Sequence, residues 1–212
     1  MPTDAKLLTL AQWLSPAFPI GAFAWSHGIE QAINDRQITD AAGLEGWLRC
    51  CLDEGAGRSD AIWLRLASGP GDVLDLDAEA RAFAPSAERL AETVRQGAAF
   101  VRTVNAVWQL DLPDLILPVA TGRAARLVAL DIDTCVLLYL QSFTSNLISA
   151  ALRLMPMGQT EGQRVLATLQ ADILRITDET RGATCDDIFS NAFLSDIASM
   201  RHETLEPRLF QS

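Results

Sequence analysis

An all-α fold is what the 212 residues predict, and three observations predict it. Apolar residues recur at the i, i+3, i+4, i+7 spacing that lines one helix face, segment after segment. No stretch alternates apolar and polar residues around an Asn-Gly or Asp-Gly turn, so hairpins have no signal. With 49% hydrophobic residues, a chain of this length buries about 70% of its unfolded surface and needs no staples. We expect one helical-bundle domain over 1–212, with an N-terminal helix and Pro/Gly loop over 1–28 and a C-terminal tail over 195–212.

The elements follow in chain order. Leu7, Leu10, Ala11 and Leu14 share a face of a first short helix, with Asp4 as its cap, and "SPAFPIG" makes a loop shaped by two prolines. The same stretch has the outline of a secretory signal, ending in "AFA" at 22–24. Thr9 and Gln12 interrupt its apolar middle and Asp4 offsets Lys6, so a retained helix and loop is the expectation. Thr39 opens a helix with Leu44, Trp47, Leu48 and Cys51 inward; the apolar spacing carries on past Gly55 and Gly57 through Ile62, Trp63 and Leu66, with the two glycines weakening the join. "SGPGD" at 68–72 breaks the chain before a segment carrying Val73, Leu76, Ala80 and Phe83.

Leu90, Val94, Gly97, Val101, Val104 and Trp108 then trace a long stripe, with Arg89, Glu92, Arg95 and Arg102 off it. Pro118 suits the first turn of the next helix, where Gly122, Ala124 and Ala125 allow close approach by a neighbour. Thr134 to Leu152 contains no charge. That length would span a bilayer, but Gln141, Ser142, Thr144, Ser145, Asn146 and Ser149 within it favour the central helix of a helical domain. Thr160 and Gln163 have capping-box spacing, followed by the face Val165, Leu166, Leu169, Ile173 and Ile176; Thr184 with Asp187 repeats the signal.

The chemistry is defined mostly by exclusion. A net charge of −10 argues against nucleic acid and anionic membrane as partners. Phosphate-loop, nucleophile-elbow and zinc-protease motifs are absent from the sequence. Four scattered cysteines and two histidines supply neither a disulfide framework nor a regular metal site. Ser26-His27 reads as a polar loop rather than part of a triad, His202 in "MRHE" as a surface histidine, Asp131 and Asp133 as helix-start acids, and Cys50-Cys51 as core packing. An all-α enzyme or small-ligand-binding protein, with Tyr139, Gln141 and Asn146 lining a pocket beside the uncharged helix, also fits these residues.

"LSPAFPIGAFAWSHGIEQAI" resembles the N-terminal signature of the urease accessory protein UreF family, "LRLMPMGQTEGQ" its central turn and "DIASMRHETLEPRLFQS" its ending. The resemblance implies a cytoplasmic, homodimeric all-α protein that is not an enzyme and holds no cofactor tightly. It implies that the chain joins the GTPase UreG to UreD (UreH) in a complex activating apo-urease, with nickel handled in transit. By the same resemblance His27 before Gly28, Arg201, His202 and Glu203 of the tail, and Arg208, Leu209 and Phe210 near its end are the partner-binding residues for UreD and UreG. The tail departs from the family pattern at Leu205, Glu206 and Pro207, and Pro207 is expected to stop a helix.

Overall fold

A computed structural model describes residues 4–212 of the chain. Ten α-helices and two 3-10 turns, with no strand among the described residues, enclose one continuous hydrophobic core. The helices are α1 (Asp4–Trp13), α2 (Ile29–Asn34), α3 (Ala41–Glu54), α4 (Ala56–Ala67), α5 (Val73–Ala82), α6 (Ala87–Trp108), α7 (Leu117–Leu127), α8 (Ile132–Leu154), α9 (Gln159–Glu179) and α10 (Phe193–His202); the turns are Ala22–Ala24 and Cys185–Asp187.

The uncharged run forms α8, and it is the centre of the domain. Helices α1, α2, α3, α4, α7 and α9 and the turn at Ala22–Ala24 all pack on it, so Cys135, Val136, Leu140, Leu147 and Ala151 are removed from water. Its hydroxyls need no partner outside the helix where they turn back on it: Thr144 donates to the Leu140 carbonyl at 2.8 Å. Asp131 caps α8 by accepting the Thr134 N–H at 2.9 Å, and the Thr134 bonds hold its carboxyl below the usual carboxylate range. Asp133 has another task, pairing with Arg65 at 2.7 Å and Arg181 at 2.9 Å.

Around α8, α4 and α7 cross closely enough that a Cβ on Gly122 would stand 2.0 Å from the Leu64 carbonyl oxygen. Glycine itself is therefore required at that position, a stricter demand than the small residues of Gly122, Ala124 and Ala125 suggest. Helix α3 packs on α9, burying Leu44, Leu48 and Leu52 on one side and Leu169, Ile173 and Ile176 on the other.

Several local expectations are corrected. On α1 the inward face is Leu10 and Trp13, whereas Leu7 and Ala11 are exposed, because the helix docks by its C-terminal end. There Trp13 meets Phe100 and Trp108 edge-on at 5.4 and 5.3 Å, and Asp4 lies within the described helix rather than ahead of it as a cap. The cap of α3 is Asp40, not Thr39, through the Gly43 N–H at 2.8 Å. The join that Gly55 and Gly57 weaken is a break, with α3 ending at Glu54 and α4 restarting at Ala56. Helix α9 starts at Gln159 after Gly158 without a side-chain cap, so the Thr160 and Gln163 box does not form; the Thr184 and Asp187 box does. On α6 the buried set includes Arg89, Glu92 and Gln96, which bond to one another around Glu92, with Ser212 closing over them.

Candidate functional site

The N-terminal signature loop meets the C-terminal tail. Gly28 begins the meeting place: its φ of +79° is a left-handed conformation, and a Cβ there would lie 2.9 Å from the Ser199 amide nitrogen. Only glycine satisfies both demands, and α2 thereby lies against α10. The last residues then pair with the signature loop, the Gln211 N–H donating to the Ala24 carbonyl and the Ser26 N–H to the Ser212 carbonyl, both at 2.9 Å. Ser26 Oγ also donates to the Ser212 carbonyl, and the Ser212 hydroxyl donates to Glu92 at 3.2 Å.

Two carboxylates organise what precedes. Glu30 on α2 accepts the Leu209 N–H at 2.7 Å on one oxygen and the Phe210 N–H at 2.9 Å on the other, which also faces His202 Nε2 at 3.0 Å. Glu88, in the first turn of α6, takes His202 Nδ1 at 2.7 Å and Arg208 Nη1 at 2.5 Å. A carboxylate buried in this way costs heavily unless its lone pairs are filled, and here donors from α10 and the tail fill them. Charged neighbours in "MRHE" suggest exposure, yet the His202 side chain is 0% exposed because α10 presses it between α2 and α6.

The other predicted residues divide between surface and interior. Arg208 keeps 44% of its side chain in solvent and uses one of its five N–H donors on Glu88. Leu209 is 64% exposed, but Phe210 is 3% exposed, seated under the Arg153 guanidinium at 4.2 Å from the ring centre. The tail is therefore docked on its own chain rather than frayed. Arg201 is exposed and pairs with Asp35 at 2.9 Å, while Glu203 accepts the Ala87 N–H at 2.9 Å. Pro207 lies beyond the end of α10, which stops at His202.

His27 is not presented at the surface. It is buried edge-on to Phe143 at 5.2 Å between ring centres, with Nδ1 lacking a hydrogen-bond partner. Burial, and then Arg89, push its pKa well down, so the ring is neutral. With Ser26 Oγ directed to Ser212, no Ser-His pair forms. Cys51 is buried and its thiol is pushed by burial up to about 12, whereas Cys50 is exposed, so only half of that pair packs the core.

Beside α8 lies a cavity of about 330 Å³, bordered by Trp13, Phe100 and Phe143 and by the polar Asp60, Tyr139 and Asn146; Gln141 does not border it. Tyr139 donates to Asp60 at 2.7 Å, and burial nonetheless raises the Asp60 pKa to about 6. A smaller cavity of about 70 Å³ shares Asp60, Arg89 and Thr93 with the first and reaches His27. Among the described residues, no three His, Cys, Asp or Glu side chains converge on a possible metal position.

Glu30 and Glu88 are the residues that reading the sequence passed over. Glu30 stands inside the quoted "HGIE", which is a signal in itself. Glu88 reads only as an ordinary acid near a helix start.

Comparison with known proteins gives a consistent result. The model of the UreF family matches residues 38–170. Across 214 residues the chain is 48% identical to the urease accessory protein UreF of Roseobacter denitrificans, an alignment covering 100% of this chain and 96% of that protein. Identity to the protein of the same name from Cereibacter sphaeroides is 51% over 209 residues, covering 99% and 100%. For that of Ruegeria pomeroyi it is 42% over 214 residues, covering 100% and 99%.

Proposed function

This chain belongs to the UreF family of urease accessory proteins, and from that premise we propose that it is the adaptor joining the GTPase UreG to UreD (UreH) during nickel insertion into apo-urease. It acts in the cytoplasm as a homodimer, without chemistry of its own, and nickel passes through the complex as cargo.

The observation that carries this reading is the docked tail. Arg208 and Leu209 stand at its surface while the residues around them are tied to the N-terminal signature. A guanidinium with most donors unused offers a planar fork to a carboxylate, and an exposed leucine beside it adds apolar contact. Phe193, Leu194, Ile197 and Met200 leave a further apolar face on α10 exposed, which supports a protein contact along the same edge.

Co-purification with UreD and UreG tests the proposal. Intact protein is expected to capture both, and removal of residues 201–212 to lose both. Arg208→Ala is expected to lose UreG while UreD stays bound. Retention of UreG by that variant would remove the role given to Arg208.

A further inference from the structure

We propose that Glu30 is a positioning residue that sets the direction in which Arg208 leaves the tail, with His202 and Glu88 completing the device. The inference rests on the adaptor reading for its consequence, but not for its geometry.

Consecutive N–H groups of Leu209 and Phe210 meet the two oxygens of one carboxylate, at 2.7 and 2.9 Å. Two bonds to neighbouring peptides fix the backbone from Arg208 to Phe210, which a single bond would leave free to pivot. The second Glu30 oxygen also faces His202 Nε2, and the opposite ring nitrogen faces Glu88, whose other oxygen takes Arg208 Nη1. The chain Glu30, His202, Glu88 and Arg208 thus runs from the backbone of the tail, through α10 and α6, to the side chain displayed. Backbone and side chain are aimed by the same linked groups.

The carboxylate is required rather than a polar group of the same size. Glutamine has one acceptor oxygen, and its NH2 would oppose the remaining tail N–H, donor against donor. Glutamine leaves the side-chain volume at this position unchanged, so the change reports on the lost acceptor rather than on a cavity.

Hydrogen exchange of the isolated full-length protein reads the device directly. In Glu30→Gln the Leu209 and Phe210 amides are expected to exchange at least tenfold faster, while α8 keeps its protection. Glu206→Gln removes an exposed tail carboxylate outside the device and is expected to leave those amides within twofold of the natural protein. In co-purification, Glu30→Gln is expected to capture UreG at least tenfold less well with Arg208 intact. Should Glu30→Gln fail to fold, Glu88→Gln reads the other arm. It leaves the two tail amides protected and lowers UreG capture.

Protection of Leu209 and Phe210 within twofold in Glu30→Gln, or loss of protection equally throughout α8, overturns the proposal. So does undiminished capture by a variant whose tail has loosened. If instead Arg208→Ala retains UreG, the role given to Arg208 falls while the exchange result still judges the clamp.

Discussion

Asp60→Asn is expected to make the protein more stable at neutral pH, by an amount that grows as pH rises. Burial raises the carboxyl pKa from its ordinary 3.8 to about 6 in the fold, with the Tyr139 bond opposing the rise. The fold therefore favours the protonated form. This group's contribution is fully present below the unfolded value and is lost as pH rises through the folded one. About two pKa units correspond to about 3 kcal/mol at full ionisation. That is an upper figure, since Asp60 borders a cavity wide enough to admit water. About half of it has developed by about pH 5, leaving about 1.4 kcal/mol to appear between there and about pH 7.5. Asparagine keeps an acceptor for the Tyr139 hydroxyl and cannot ionise, so it escapes this cost. Urea unfolding followed by tryptophan fluorescence, at both pH values for both proteins, gives the difference directly. A stability difference between variant and natural protein that is the same at both pH values would refute the reasoning.

Two further outcomes follow from packing and capping. Gly122→Ala places a Cβ 2.0 Å from the Leu64 carbonyl and must push α4 from α7; a loss of about 3 kcal/mol is expected in urea unfolding, and an unchanged midpoint would contradict the close crossing. Asp131→Ala removes the cap of α8 and is expected to cost about 1 kcal/mol near neutral pH. Because the Asp131 carboxyl is held below its usual range, that increment is present above the unfolded pKa and disappears as pH falls through the folded one. Melting curves of both proteins over an acid series test the sign.

Much of the helical architecture is legible in the residues because helix formation is local. The stripe from Val101 to Trp108, the Asp131 cap, the Pro118 start and the small residues of α7 each depend on neighbours within a turn or two. Boundaries were less legible. Thr39 and Asp40 are both acceptable caps, and only the backbone path at Gly43 selects Asp40. Family membership was legible too, because the signature, the central turn and the ending occur in order.

The site itself was half legible. Arg208 and Leu209 stand out as a cation and an apolar residue near a chain end, and both are at the surface. His27, His202 and Phe210 have neighbours in sequence that suggest exposure, and all three are buried.

The sequence by itself determined an all-α chain with an uncharged central helix and a family signature at both ends, since these reside in periodicity and short motifs. Only the tertiary structure decided that Glu30 would receive the tail amides 179 and 180 residues away, and that His202 would bridge it to Glu88. No local pattern encodes such a meeting. It exists because α2, α6 and α10 pack around one point, and a buried carboxylate there takes whatever donors the fold delivers.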